Sequence, residues 1–582
     1  MPSRRQDLGP TSSVVSTSAV CELVVDGKKT AYDISGIVLE QFIDNHHVLK
    51  IKIRGVGQET GDQDFGSAMP YTSYLGKSIS LTIKPEGHVV DAARELGFIG
   101  IITKIDLDNS IDAINQTTIT AHSPTLAMDG AKHNAFYHDQ SASDVIGAIL
   151  RNYPMTLGKT ESASGSMKFS VQYRETDYEY VMRLAGGCEM FAFYEGKEFR
   201  LVKASSADTE ELAWRETLGS FSLGLGTTAS EFNARTYNYE QKKTFGQDTK
   251  SLTQQASLSD ISKLSPDASK KVYPDSGVSQ AATSVADAQS LDKILQREKS
   301  RAMGRMIRCT GQSNVPAVAV GHCVKVKGMD QIDGVYWILS VKHVFDESSA
   351  YQNTFTCTPL DIAFPQPQSA RRTESHLQSA VVVNNVDPDG LGRVKVKFPW
   401  NDSDETPWLR IAVPHAGQDR GWSSLPEIDD EVLVGYEQGS PDLPIVIGAL
   451  YNKDNKPHPD TGDDENNIKM FMTRCGHKIV LDDTDGEEKI SIITKDDKNA
   501  VVMDVAAPSI SIKSEGDIGI EAKGDLSLKG ANVNIESEMD TKLKVGISYE
   551  EEIGVNFKSK GGGIYDMEGL VVTIKGQVIN LN

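Results

Sequence analysis

Cysteine is scarce in this chain. The only six among 582 residues are Cys21, Cys188, Cys309, Cys323, Cys357 and Cys475. None forms a C-x-x-C pair, so the spacing indicates neither a zinc site nor a disulfide framework and fits folding in a reducing cytoplasm. Positive charge is also in short supply. The 60 Lys and Arg face 81 Asp and Glu, a formal charge of −21. That balance disfavours a general binder of nucleic acid or of an anionic membrane. Long apolar runs are missing too. The longest, such as residues 443–451, have the length of a strand and fall well short of the ~18 residues of a membrane span. At the N-terminus, Arg4 and Arg5 are followed by Gln6, Asp7 and a Ser/Thr tract where an export signal needs an apolar stretch. Synthesis in the cytoplasm without a signal peptide is expected.

Motifs of catalysis are equally absent. The sequence holds no G-x-S-x-G, no H-E-x-x-H and no P-loop. Gly224-Leu-Gly226 and Gly561-Gly-Gly563 lack the strand–turn–helix setting of a phosphate cradle and read as loop glycines. Twelve histidines are thinly spread. His46-His47 and the pair His133 and His138 are the nearest approach to a metal site, and a satisfied structural histidine is the better reading of each. Asp387 with Asp389, and Asp482 with Asp483, sit in turn-like sequence and read as solvated carboxylates. The expectation is a protein with no cofactor, no metal and no enzymatic activity.

What is present is mostly β. The remaining composition, 39% hydrophobic and 24% charged, is that of an ordinary globular protein. The length suggests about four domains. Residues 1–20 form a polar arm. Short alternating or β-branched runs at 37–39, 48–53, 78–83, 99–106 and 117–120 predict strands. Two helices interrupt them, at 143–152 with Ser143 as N-cap and at 176–184 with Thr176 as N-cap. Residues 246–283 are rich in Ser, Asp, Gln and Lys and read as a flexible loop. A helix over about 285–306 follows, and a Pro/Gln-rich stretch from Phe364 marks a boundary. Residues 376–452 pack about five short strands between turns, the density of a small barrel such as an OB-fold. Residues 453–467 form a polar linker.

The tail, 468–582, has the most regular pattern. Ile510 and Ile512 recur eight residues later as Ile518 and Ile520, then as Leu526 and Leu528, then as Val533 and Ile535. An apolar-x-apolar strand followed by a polar corner is the mark of a β-solenoid. One chain would leave that apolar edge wet, at a cost of several kcal/mol over the repeats at ~25 cal/mol per Å2. Winding identical chains together removes the cost. The eight residues just named are the expected axial core.

Four blocks of the 376–452 region resemble the OB-fold domain of VgrG spike proteins. They are Val386-Asp-Pro-Asp-Gly-Leu-Gly-Arg-Val-Lys-Val-Lys-Phe-Pro-Trp400, Pro407-Trp-Leu-Arg410, Leu425-Pro-Glu-Ile-Asp-Asp-Glu-Val-Leu-Val-Gly435 and Gly439-Ser-Pro-Asp-Leu-Pro-Ile-Val-Ile-Gly-Ala-Leu-Tyr-Asn452. Within them Asp387, Pro388, Gly392, Arg393, Phe398, Pro399, Trp400, Trp408, Glu431 and Gly448 carry the family pattern. Upstream, Tyr173-Arg-Glu-Thr-Asp-Tyr-Glu-Tyr-Val-Met-Arg-Leu184 resembles the family's hub domain, and Gly476-His-Lys-Ile-Val-Leu-Asp-Asp483 resembles the lead into its needle. The resemblance covers most of the chain. It implies a mainly β fold: hub domains of β-barrel type over 21–370, an OB-fold neck, and a trimeric intertwined β-helix. It implies a homotrimer that caps the inner tube of a contractile injection machine, contacts baseplate proteins and pierces a target membrane when the sheath contracts. Type VI secretion systems and extracellular injection particles both use such spikes. The last strand, Gln577, Val578, Ile579, Asn580, Leu581 and Asn582, is placed by the resemblance where a PAAR-type tip protein docks, with effector cargo in some cases. Read without the family, the lysines and arginine at 393–397 give slight support to oligonucleotide binding by an OB-fold, and the total charge argues against it. The alternatives are a β-solenoid adhesin or scaffold, and a spike with an unrecognised hydrolase activity.

Overall fold

The computed structural model describes residues 17–29, 34–54, 73–86, 95–108, 116–163, 165–250, 258–274, 277–280, 287–348, 350–366, 376–401, 404–462 and 464–580. Most of the polar arm and parts of the 246–283 segment lie outside them, as do Leu581 and Asn582. The chain divides into two compact units, Met1–Lys456 and Pro457–Asn582.

The first unit is organised by one long hairpin, Gly334–Asp346 with Ala350–Pro359. Its turn-proximal half closes an eight-stranded antiparallel barrel. Around that barrel run Ile34–Phe42, Val48–Arg54, Gln116–His122, Leu96–Asp108, Ser78–Pro85 and Thr17–Val25, and the last of these returns to the hairpin. Strict alternation builds the wall. Along Val48–Arg54, Leu49, Ile51 and Ile53 are fully buried, while Lys50, Lys52 and Arg54 are exposed. The hairpin's other half belongs to a second barrel. There it pairs with Cys323–Lys327 and Ile307–Ser313, and Thr209–Ala213 and Leu218–Leu225 complete the ring through a Trp214–Leu218 bridge.

Two helices pack on the first barrel, α1 (Ala142–Leu150) and α2 (Asp177–Gly187). The Thr176 hydroxyl accepts the Glu179 amide at 3.1 Å and the Glu179 carboxylate accepts the Thr176 amide at 3.0 Å, a full capping box. For α1 the cap is Ser141 rather than Ser143, whose hydroxyl instead accepts the Ala163 amide.

Between the adjacent strands Leu218–Leu225 and Ile307–Ser313 an arm is inserted. It carries the hairpin Asn233–Asn238/Lys243–Asp248, the short strand Val278–Gln280, and helices α3 (Asp260–Val272) and α4 (Ala288–Met303). The helix α3 corrects the expectation of a loop over 246–283. Its composition is loop-like because serines form its buried side: the Ser262 hydroxyl donates to Asp361 at 2.7 Å, and Ser265 and Ser269 are also buried. Small hydroxyl side chains let this helix lie close against the second barrel.

The small domain after the boundary is a four-stranded sheet in the order Lys395–Lys397, Gln378–Asn384, Glu431–Tyr436, Pro444–Leu450. Val394, Val396 and Phe398 point into its core with Val382, Leu409, Val432, Val434 and Val446.

The second unit begins as a five-stranded antiparallel meander, Ile468–Met472, Lys478–Asp482, Lys489–Ile493, Asn499–Asp504 and Ser509–Ser514. Tight turns containing Gly476, Gly486 and Asp497, all at positive φ, let consecutive strands of five or six residues pair within the chain. Beyond Ser514 the apolar-x-apolar repeats are too short to do so, and no strand is paired among the described residues to 580.

Candidate functional site

The family-like motif of the small domain builds an ion cluster. Gly390 and Gly392 sit at φ +65° and +69°, so the loop from Asp387 curls back on itself in a conformation that favours glycine. The curl delivers the Leu391 and Arg393 amides to one Asp387 oxygen at 3.0 and 3.2 Å. The Arg393 guanidinium closes the ring, donating from Nε and Nη2 to Asp387 at 2.9 and 2.7 Å and from Nη2 to Asp389. These donors hold the Asp387 carboxyl far below the usual range, and the paired carboxylates raise the guanidinium. The Asp387 side chain is only 3% exposed, which corrects the expectation of a solvated turn carboxylate there, whereas the Asp389 side chain is 65% exposed. The cluster also removes the slight support that 393–397 lent to oligonucleotide binding. Arg393 is consumed by this cluster, and Lys395 pairs with Glu405 and lies 5.4 Å from the Trp408 ring.

The other motif residues have varied surroundings. Trp400 stacks on Phe398 at 5.0 Å and meets Phe136 of the first unit's larger part edge-on at 6.0 Å. Glu431 accepts from Asn452 at 3.1 Å. Pro388 and Pro399 are exposed, and open space surrounds Gly448. Asp442 accepts the Val171 amide at 2.8 Å, a second tie between the small domain and the barrels.

The histidines are committed elsewhere. His46 contacts the Thr125 hydroxyl at 2.9 Å and the Asp129 carboxylate at 2.8 Å, while His133 reaches Asp177 at 3.1 Å and His138 reaches Asp139 at 3.4 Å. Each therefore faces its own carboxylate. His47 is fully buried, and desolvation pushes it down to about 3. Among the described residues no three His, Cys, Asp or Glu side chains converge as a metal site, and no helix is long and apolar enough to cross a membrane. Asp482 bonds Thr484 and pairs with Lys489 at 3.3 Å; Asp483 pairs with Lys469 at 3.0 Å.

The second unit presents a different kind of site. Register places Phe471, Ile479, Ile492, Val501 and Ile512 in one cross-strand row and Leu481, Ile490, Met503 and Ile510 in the next. Both rows lie on one face, and that face is uncovered: Ile492 is 50% exposed and Ile510 73%. A groove of about 480 Å3 runs along it from Phe471 and His477 to Ile518. The other face mixes Asp482, Lys489, Ser491, Asp504 and Ser509 with Met470, Val480 and Val502. Farther along, Ile518, Ile520, Leu526, Leu528, Val533 and Ile535 are 55–80% exposed. Covering side chains of this size gains on the order of 1 kcal/mol each. Gln577, Val578, Ile579 and Asn580 are exposed as well.

Residues 66–349 match the family model of the phage tail baseplate hub, and residues 378–451 match that of the type VI secretion system/phage-baseplate injector OB domain. The chain is 26% identical over 392 residues to the type VI secretion system spike protein VgrG5 of Pseudomonas aeruginosa, covering 57% of this chain and 47% of that one. It is 23% identical over 478 residues to VgrG3 of Vibrio cholerae, covering 74% and 45%. The chain thus spans about half the length of the curated relatives it matches. In fold it is similar to a solved Francisella PdpA-VgrG complex, with TM-score 0.55 and 10% identity over 87% of this chain and 90% of that one.

Proposed function

We propose that the chain is a spike protein of the VgrG type, the homotrimeric central hub and spike of a contractile injection machine. In this reading the barrels of 21–370 form the hub at the end of the inner tube and contact the baseplate. The OB domain, 376–452, is the neck, and 468–582 is the piercing needle. The observation that carries the reading is the uncovered apolar face of the 468–514 meander, continued by exposed apolar pairs at the same two-residue step. A surface of this kind stays in water only at a cost that identical copies remove by packing their faces inward. The type VI secretion names of the relatives favour that machine over an extracellular particle. The reading includes synthesis in the bacterial cytoplasm and delivery with the particle. It also includes transient contact with the target membrane and a PAAR-type tip protein, with or without cargo, at residues 577–582. The work is mechanical, with no cofactor, nucleic acid or catalytic residue.

The test is mass in solution. Light scattering on the purified chain is expected to give three copies with no monomer at micromolar concentration. Ile492→Asp places a carboxylate in the middle of the apolar row and is expected to shift the population to monomer while leaving the barrels folded. A wild-type monomer at all accessible concentrations, or an unaffected trimer in Ile492→Asp, would overturn the assignment of this face to the trimer.

A further inference from the structure

The inserted arm ends in contacts that the spike reading leaves unused. Its hairpin turns at Tyr239 and Glu240, and this tip enters the OB domain between two arginines. The Glu240 carboxylate lies 3.7 Å from the Arg393 guanidinium. The Tyr239 hydroxyl donates to the Glu240 carboxylate at 3.4 Å, and its ring lies 4.2 Å below the Arg410 guanidinium, which also pairs with Glu437. Stacking of an arginine on a phenol face is worth most where water is kept away; the stacked Arg410 side chain is 31% exposed, while Arg393, which faces Glu240, is only 6% exposed.

The arm is held at two further places. Its root is fixed because the strands it leaves and re-enters pair with each other, Gly224 opposite Arg308. Its middle is fixed on α2, where the last carbonyls at Gly186 and Gly187 accept from Arg301 at 3.1 Å and from Arg297. Two cations at a helix C-terminus also complement its dipole. Inside, Ala234, Phe245, Leu291 and Leu295 pack the hairpin against α4. A body fixed at root, middle and tip is a strut.

We propose that the arm is a brace that holds the OB domain in one orientation on the hub, with Tyr239 and Glu240 as the positioning residues that engage Arg393 and Arg410. The family motif Asp387-Pro-Asp-Gly-Leu-Gly-Arg393 then has a second role besides shaping its own loop: it is the seat of the brace. In an injection machine the brace gives thrust a path from hub to neck beyond the covalent linker.

Hydrogen exchange on the intact chain tests this, whatever its oligomeric state. Tyr239→Ala combined with Glu240→Ala is expected to speed exchange roughly tenfold in 387–394 and 408–412, while strands at 96–102 and 478–504 stay as in wild type. Tyr239→Phe keeps the ring over Arg410 and is expected to remain near wild type at 408–412. Arg410→Gln, made from the other side of the contact, is expected to loosen the hairpin at 233–248. Unchanged exchange at 387–394 and 408–412 in the double variant overturns the proposal. If that variant loses protection everywhere, Arg410→Gln decides, and an unchanged hairpin overturns it.

Discussion

At the scale of single residues, Arg393 bears the most weight. Its guanidinium neutralises Asp387, and the Asp387 carboxylate organises three amides of the loop. The pair is screened by its own loop near the domain surface rather than sunk in the core. The loss on breaking it should therefore be about 2 kcal/mol, below the ~3–5 of a deep pair. Arg393→Leu is expected to lower the denaturant midpoint of the OB domain accordingly, and Arg393→Lys by about half, since an ammonium does not make the forked contact. An unchanged midpoint in the leucine variant would mean that the loop holds without its cation. The sequence made this motif visible as a family pattern but hid its chemistry. Turn-rich spacing around Asp387 reads as solvated because nothing in the local order of residues reveals that the loop folds back upon its own carboxylate. The partners Tyr239 and Glu240 are some 150 positions away and lie beyond any local signal.

At the scale of elements, alternation was the reliable guide. Strands such as Val48–Arg54 and Ser78–Pro85, and the capped helix α2, were legible because their periodicity and caps are local. Helix α3 was not, because its buried side is serine and composition mimics a loop. The long hairpin hides another buried feature. His343 touches the Tyr351 hydroxyl at 2.6 Å and Gln41 at 3.1 Å, fully enclosed, and burial with nearby His47 pushes it down to about 3. His47 faces the Phe42 carbonyl and the Phe98 and Tyr194 rings. Both are neutral in the folded barrel, whereas the unfolded chain takes up protons below pH ~6.5. Stability is therefore greatest above that pH and falls as pH drops from ~6.5 toward ~3, by about 1 kcal/mol per pH unit for each histidine. Urea midpoints between pH 4.5 and 7 check this. His343→Gln keeps a hydrogen-bonding side chain without the titration and is expected to flatten the slope by about one proton. An unchanged slope would remove His343 from the account.

At the scale of the whole molecule, the division near Lys456 separates two kinds of stability. The first unit encloses its own cores, whereas the second leaves its apolar face and repeats exposed within one chain. Calorimetry is expected to show two transitions, with only the one belonging to the second unit rising with protein concentration. A single transition independent of concentration would contradict that separation. The strand period of each part could be read from sequence because it is local. The shared hairpin could not, since pairing across two barrels is a matter of long-range register. That hairpin gives the barrels a common fate. Each borrows the same two strands to complete its wall, so neither has a native state of its own to return to if the other comes apart. Damage to one is inherited by its neighbour, and evolution can lengthen the loops of either barrel more freely than it can part them.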